Sequence, residues 1–237
     1  MAAEFLALAG VAVDVFDAMP SVGRKFLLAG IGGMNITHAE PFAPFCARYG
    51  AREADIRGLL EDFDAGALRA WVHGLGIETF IGSSGRVFPR EMKAAPLLRV
   101  WLHRLRAAGV VFHSRHRFTG WDADGALCFA TPDGHRTQRA TAVLLALGGA
   151  SWARLGSDGA WVPWLRECGV GVAPLRPANC GFDVAWSTAF RERFAGAPLK
   201  AVHGSCVDGG GIRHERPGEA VVSCSGIEGG LVYALSA

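Results

Sequence analysis

MAAEFLALAGVAVDVFD, residues 1–17, reads as a helix, a glycine stop and a strand that ends on an acid. Ala2 to Ala9 is built of strong helix formers, and Gly10 suits the left-handed turn that closes a helix. Val11 to Phe16 is β-branched and mostly apolar, the pattern of a strand buried on both faces of a parallel sheet. Asp17 then stands at the strand's carboxyl end. In a dinucleotide-binding βαβ unit an acid at this place hydrogen-bonds a ribose hydroxyl of the adenosine, roughly 20 residues after a glycine fingerprint. Counting back that far passes Met1, so the spacing predicts a first strand and fingerprint upstream of this sequence. The plainer reading of Asp17 is a strand-end carboxylate that caps a turn. GIGGMN, residues 30–35, has the GxG but lacks the preceding strand and a clear following helix, and reads as a turn.

Working outward, Pro20, Gly23 and the glycines after residue 29 predict a long irregular loop. Apolar residues at Ile56, Leu59, Leu60 and Phe63, then at Leu68, Trp71, Val72 and Leu75, keep helical spacing and predict two helices. A short extended piece and a helix over 94–108 follow. Residues 110–149 read as strands broken at DADG and PDGH, closing with AVLLALGG as a buried strand that runs into paired glycines. SDGAWVPWLREC predicts a helix with Ser157 or Asp158 as N-cap, shortened by Pro163. From residue 178 short strands and glycine turns predict a second, β-rich domain. The fold class is therefore α/β, with a Rossmann-like domain over 1–177 and the start of an inserted β-rich domain over 178–237.

Composition narrows the function. Half of the 237 residues are hydrophobic, 19% are charged and the net charge is +2, which fits a packed core and gives no electrostatic case for nucleic acid or an anionic membrane. HSRHR, residues 113–117, reads as a solvated strand end, and His103, His113 and His116 as surface groups. The six cysteines form no CxxC pair, so neither a zinc site nor a disulfide framework is indicated. No apolar run reaches the ~20 residues of a membrane span, and no basic region precedes the apolar start. The reading is cytoplasmic.

Several stretches together resemble bacterial FAD-dependent flavoproteins of the YhiN/BaiN-like group, also labelled the aminoacetone oxidase family. They are GRKFLLAGIGGMNIT (23–37), GRVFP with Lys93 nearby, LLALGGASW running into GSDGAW, LRPANCGF, and GEAVVSCSGIEGGLVYALSA. The resemblance implies FAD in a Rossmann-like domain interrupted by a β-rich domain that shapes the substrate cavity. It implies that Asp17 takes the ribose and that Arg24 and Lys25 lie near the pyrophosphate. It also implies Gly30, Gly32, Gly33 and Asn35 toward the flavin, the backbone of Phe118 near adenine, and Gly148 and Gly149 where the chain passes close to the cofactor. Ile31, Gly33 and Met34 depart from the group's usual loop, and Leu147 stands where a Thr is common. The implied activity is hydride transfer between a small organic substrate or NAD(P)H and flavin. No catalytic residue is assigned.

Two other readings stay open. Without the fingerprint's N–H groups the pyrophosphate loses several charge-assisted hydrogen bonds, so the chain could be a non-catalytic piece, truncated at both ends, with impaired FAD binding. Alternatively the seven tryptophans would serve a nucleotide-binding or interaction module, although their periodic apolar settings suit core packing.

Overall fold

The alanine- and leucine-rich start folds as helix α1 (Ala2–Leu8) in a computed structural model that describes residues 1–28, 33–177 and 179–236. Chain contacts divide the protein into two units, Met1–Gly169 and Val170–Ala237. In the first unit Gly10, at φ 79°, turns the chain into strand β1 (Asp14–Asp17). This strand is shorter than VAVDVF predicts, and it is half-buried to exposed rather than buried on both faces. The reason is its pairing. Among the described residues β1 has one strand neighbour, the parallel β5 (Val111–Ser114), with Asp14 opposite Val111 and Asp17 opposite Ser114.

The predicted loop after β1 holds a short helix, α2 (Arg24–Leu28), then β2 (Thr37–His38) and α3 (Phe42–Ala47). The two helices foreseen from apolar spacing are α4 (Glu53–Asp62) and α5 (Ala65–His73). Asp64 separates them by capping α5, its Oδ1 accepting the Ala67 N–H at 2.7 Å. A hairpin of β3 (Thr79–Ile81) and β4 (Arg86–Pro89) joins β2 in an antiparallel sheet of order β2-β4-β3. Helix α6 (Ala94–Ala107) turns Leu97, Leu98 and Leu105 inward. The resulting core holds Met34, Val72, Ala94 and Leu97, with Phe26, Leu68 and Trp71 packed against it.

The turn signatures at DADG and PDGH separate three antiparallel strands, β6 (Arg117–Trp121), β7 (Leu127–Thr131) and β8 (Gly134–Gln138). Phe118, Leu127 and Phe129 form their core, joined by Phe16 of β1, Trp121, Leu147 and Trp164. AVLLALGG is a correction: residues 142–149 carry no strand, and Val143 and Leu144 are 47% and 63% exposed. Among the described residues no strand pairs with this run, and of its apolar side chains Leu147 joins the core cluster. Helix α7 (Trp161–Glu167) also begins later than predicted, with Ala160 at its N-cap. Asp158 instead closes a turn by accepting the Ala160 N–H at 3.1 Å, which leaves Pro163 in the helix's first turn, where its missing N–H does no harm.

The second unit contains β9 (Phe182–Asp183), α8 (Thr188–Phe194), β10 (Pro198–Val207), β11 (Arg213–Val222), β12 (Gly226–Glu228) and α9 (Gly230–Leu235). The strands form one antiparallel sheet of order β10-β11-β12-β9. Helix α9 lies close on it: a Cβ at Gly204 or Gly218 would stand 3.0 Å from the Leu231 side chain. Six of the seven tryptophans are half-buried, as core packing predicts, and Trp152 is 43% exposed.

Candidate functional site

Beyond β1 the chain bends sharply, because Asp17 Oδ1 accepts the Met19 N–H at 2.8 Å. The Asp17 backbone carbonyl takes the His116 N–H at 2.9 Å. Asp17 thus performs the plainer role foreseen for it, capping a turn, and it does so with one carboxylate oxygen.

Facing this turn is the loop of residues 148–158. Its path begins at Gly148, at φ 73°, a conformation that L side chains rarely adopt. The Gly148 carbonyl accepts the indole N–H of Trp161 at 2.9 Å, and a Cβ placed on Gly148 would stand 3.1 Å from Ser157 Oγ. Gly149 has open space beside it. Ser157 and Trp152 exchange backbone hydrogen bonds of 3.1 Å, which closes the loop on itself. Gly156 brings the loop against Met19, whose Sδ would lie 3.4 Å from a Cβ there.

Lys25 completes the arrangement. Its Nζ donates to Ser151 Oγ at 2.9 Å, across 126 residues of sequence. One of the ammonium's three donors is spent in this way, and among the described residues the other two have no acceptor. Ser157 is 5% exposed, yet among the described residues its hydroxyl has no hydrogen-bond partner. Such orphaned groups are rare in native interiors and mark places where a ligand or water belongs. At the loop's far end Arg117 pairs with Asp158 at 2.9 Å. The Ala160 N–H, with the Arg117 guanidinium second, holds the Asp158 carboxyl below its ordinary range.

The residues singled out in the sequence therefore fall into several groups. Asp17, Lys25, Gly148 and Gly149 line the turn and loop just described. Arg24 is exposed at the start of α2. Gly33, at φ 130°, packs against Met92, and Asn35 donates to the Thr37 and Val87 carbonyls at 2.6 and 3.1 Å, tying its segment to β4. Phe118 is buried in the aromatic core. Gly30 and Gly32 lie outside the described residues. Ser151, Ser157, Trp161 and the Arg117–Asp158 pair carry no binding role in the sequence reading, where Ser157 and Asp158 figure only as helix N-cap candidates. The GASW and GSDGAW stretches contain four of these five residues, so the signal was present as a motif without a role.

The chain is similar to several known proteins. The model of the HI0933-like protein Rossmann domain matches residues 1–231. A 3-dehydro-bile acid delta(4,6)-reductase of Clostridium scindens is 27% identical over 224 residues, which is 94% of this chain and 53% of that protein. Among solved structures, one from a study of BexE and oxidation during BE-7585A biosynthesis has a TM-score of 0.42 at 17% identity, covering 90% of this chain and 40% of that one. Thermovibrio ammonificans THI4 has a TM-score of 0.44 at 16% identity, covering 81% of this chain and 64% of that one. The chain spans about half the length of the curated relative it matches.

Proposed function

The chain belongs to the HI0933-like Rossmann-domain family, and from that premise we propose that it holds FAD along the 148–158 loop as part of a flavin-dependent oxidoreductase. The observation that carries this reading is the Lys25–Ser151 bridge, which ties a cation to the loop that begins at Gly148 and Gly149, neither of which carries a side chain. The residues fit the group. A pyrophosphate needs cationic donors, close passage of a cofactor needs glycine, and Ser157 offers a buried hydroxyl with no partner among the described residues.

In this reading Lys25 would neutralise the pyrophosphate, with Arg24 supplying further positive charge from the adjacent exposed position. Asp17 keeps Oδ1 on the turn and would offer its other oxygen to a ribose hydroxyl. Trp161 fixes the Gly148 carbonyl, so the loop is held in place before the cofactor arrives. Bound flavin supplies a two-electron acceptor and donor, which exchanges hydride with a small organic substrate or with NAD(P)H. The protein's part is position and charge.

The test is retention of FAD by the 237-residue chain after excess cofactor is removed, read by flavin absorbance. We expect about one flavin per chain, in proportion to the one site. Lys25→Met should weaken retention at least tenfold, the scale of one charge-assisted hydrogen bond lost. Gly148→Val should abolish it, because the new side chain meets both a disfavoured φ and Ser157. Absence of flavin from the wild-type protein, or equal retention by Lys25→Met, refutes the assignment.

A further inference from the structure

A second cleft, of about 240 Å³, opens among β2, α3, α4, α5 and β3 and shares no residue with the Lys25–Ser151 loop. Its volume equals that of about eight waters at ~30 Å³ each, which suits a small organic ligand. Phe42, Phe45, Leu60 and Ile81 give it apolar walls, and Ile81 is 50% exposed toward it and solvent.

The polar groups around the cleft are unequally committed. Glu40 is neutralised by Arg48, whose Nη2 donates to Oε2 at 3.0 Å. Asp64 faces the N-terminus of α5 and accepts the Ala67 N–H. His38 lies with Nδ1 3.1 Å from the Glu40 backbone nitrogen and 3.5 Å from Glu40 Oε1, and with Nε2 3.0 Å from the Ser84 carbonyl, so its ring is engaged on both sides. Arg69 is different. Its Nε donates to Thr79 Oγ1 at 3.3 Å, and among the described residues its guanidinium forms no ion pair, although the side chain is half-buried. Thr79 is itself held by His73 at 2.8 Å, so the guanidinium is steered rather than loose.

Glu40 is paired with Arg48 and Asp64 caps α5, so Arg69 is the cation of the cleft that has no carboxylate within ion-pair reach among the described residues. We propose that this cleft binds a small carboxylic acid with an apolar body, its carboxylate on the Arg69 guanidinium and its body against Phe42, Phe45, Leu60 and Ile81. The guanidinium fork matches a carboxylate's two oxygens, and the partly dry setting strengthens the pair. The neutral amide of the same acid matches the fork poorly and brings no charge.

The probes are 3-phenylpropionate and 3-phenylpropionamide, titrated calorimetrically into the 237-residue protein. We expect the acid to bind at least tenfold more tightly than the amide. Arg69→Gln, with its circular dichroism unchanged, should lose that preference, and Arg69→Lys, which keeps the charge without the fork, should fall between. Lys25→Met should leave acid binding unaltered, which separates this site from the proposed flavin loop. Equal binding of acid and amide by the wild-type protein, no binding of either at millimolar concentration, or an undiminished preference in Arg69→Gln would overturn the proposal.

Discussion

Replacing Glu4 with alanine should destabilise the first unit by about 3 kcal/mol. Glu4 is the buried residue of α1, whose Phe5 and Leu8 are 64% and 76% exposed, so apolar burial does little to seat this helix. The carboxylate is caged instead. Trp101 donates its indole N–H to Oε2 at 2.8 Å, Trp71 donates to both oxygens at 3.2 and 3.3 Å, and Arg104 forms an ion pair with Oε1. Arg104 also lies over the Trp71 ring, 5.7 Å from its centroid, and the two indoles meet edge to face at 4.8 Å. Breaking a buried pair by removing one partner costs ~3–5 kcal/mol, chiefly through the charge left behind. Here Glu4 is 9% exposed at the side chain but Arg104 is 36% exposed, so water can recover part of the guanidinium's loss and the lower end applies. Two indole N–H groups without an acceptor keep the cost from falling further. For a chain of this size, 3 kcal/mol corresponds to a fall of roughly 6–12 °C in melting temperature. The assay is urea unfolding followed by tryptophan fluorescence, to which Trp71 and Trp101 contribute with the other five tryptophans. Glu4→Gln, which keeps an acceptor and loses the charge, should cost about half as much as the alanine change. Glu4→Ala with Arg104→Ala should cost less than the sum of the single changes, since neither charge is then stranded. A cost below about 0.5 kcal/mol for Glu4→Ala, the range of ordinary surface changes, or strict additivity in the double variant, would refute the caged-carboxylate account.

Two further outcomes are expected. Because Asp158 has a depressed folded-state pKa, the stability it contributes is present above its ordinary value near 3.8 and is lost as pH falls through the lower, folded value. The stability gap between the wild-type protein and Asp158→Asn should therefore be constant above about pH 5 and shrink below about pH 4, as read by urea titrations across that range. A gap that widened on acidification would contradict the sign. Val143, Leu144 and Leu145, 47%, 63% and 38% exposed with no strand beside them among the described residues, form an unpaired apolar run that favours association through backbone pairing. Light scattering behind size-exclusion chromatography should show association that rises with concentration and is reduced in Leu144→Lys, and a wild-type chain that stays monomeric throughout would exclude this.

Local patterns proved the most legible in the sequence. The i, i+3, i+4 spacing of Leu68, Trp71, Val72 and Leu75 identifies α5 because one helix face meets one core, and that requirement is written in consecutive residues. The Asp122–Gly125 turn is equally local: Asp122 Oδ1 accepts the N–H groups of Asp124 and Ala126 at 3.0 and 2.8 Å, so the turn needs only its own side chain. AVLLALGG was misread because a strand is a pairwise object. Its composition suits a buried strand, but a strand exists where a neighbour accepts its backbone hydrogen bonds, and composition does not say whether one is there. The late start of α7 has a different cause, since Asp158 serves a turn at Ala160 just as readily as it would serve a helix.

The candidate loop shows why glycines are easier to read than hydroxyls. Gly148 announces itself because its backbone conformation excludes other residues whatever its neighbours are. Ser151 and Ser157 carry no such mark: one matters because Lys25 reaches it from 126 residues away, the other because its buried hydroxyl has no partner among the described residues. Both conditions are three-dimensional, and neither has a period or a spacing. Asp17 lies between these cases. Its place at the strand end is local, while its worth to a cofactor depends on what its second oxygen faces. Comparing FAD affinity for Asp17→Asn and Asp17→Ala separates the two duties. The amide retains its oxygen for the Met19 N–H and presents an NH2 donor to the ribose hydroxyl in place of the second oxygen, whereas alanine loses the turn as well. An Asp17→Asn variant that binds FAD within a few-fold of the wild type, beside an Asp17→Ala variant at least tenfold weaker, would assign the residue's contribution to hydrogen bonding rather than to charge. Equal affinity in all three would leave Asp17 with its turn alone.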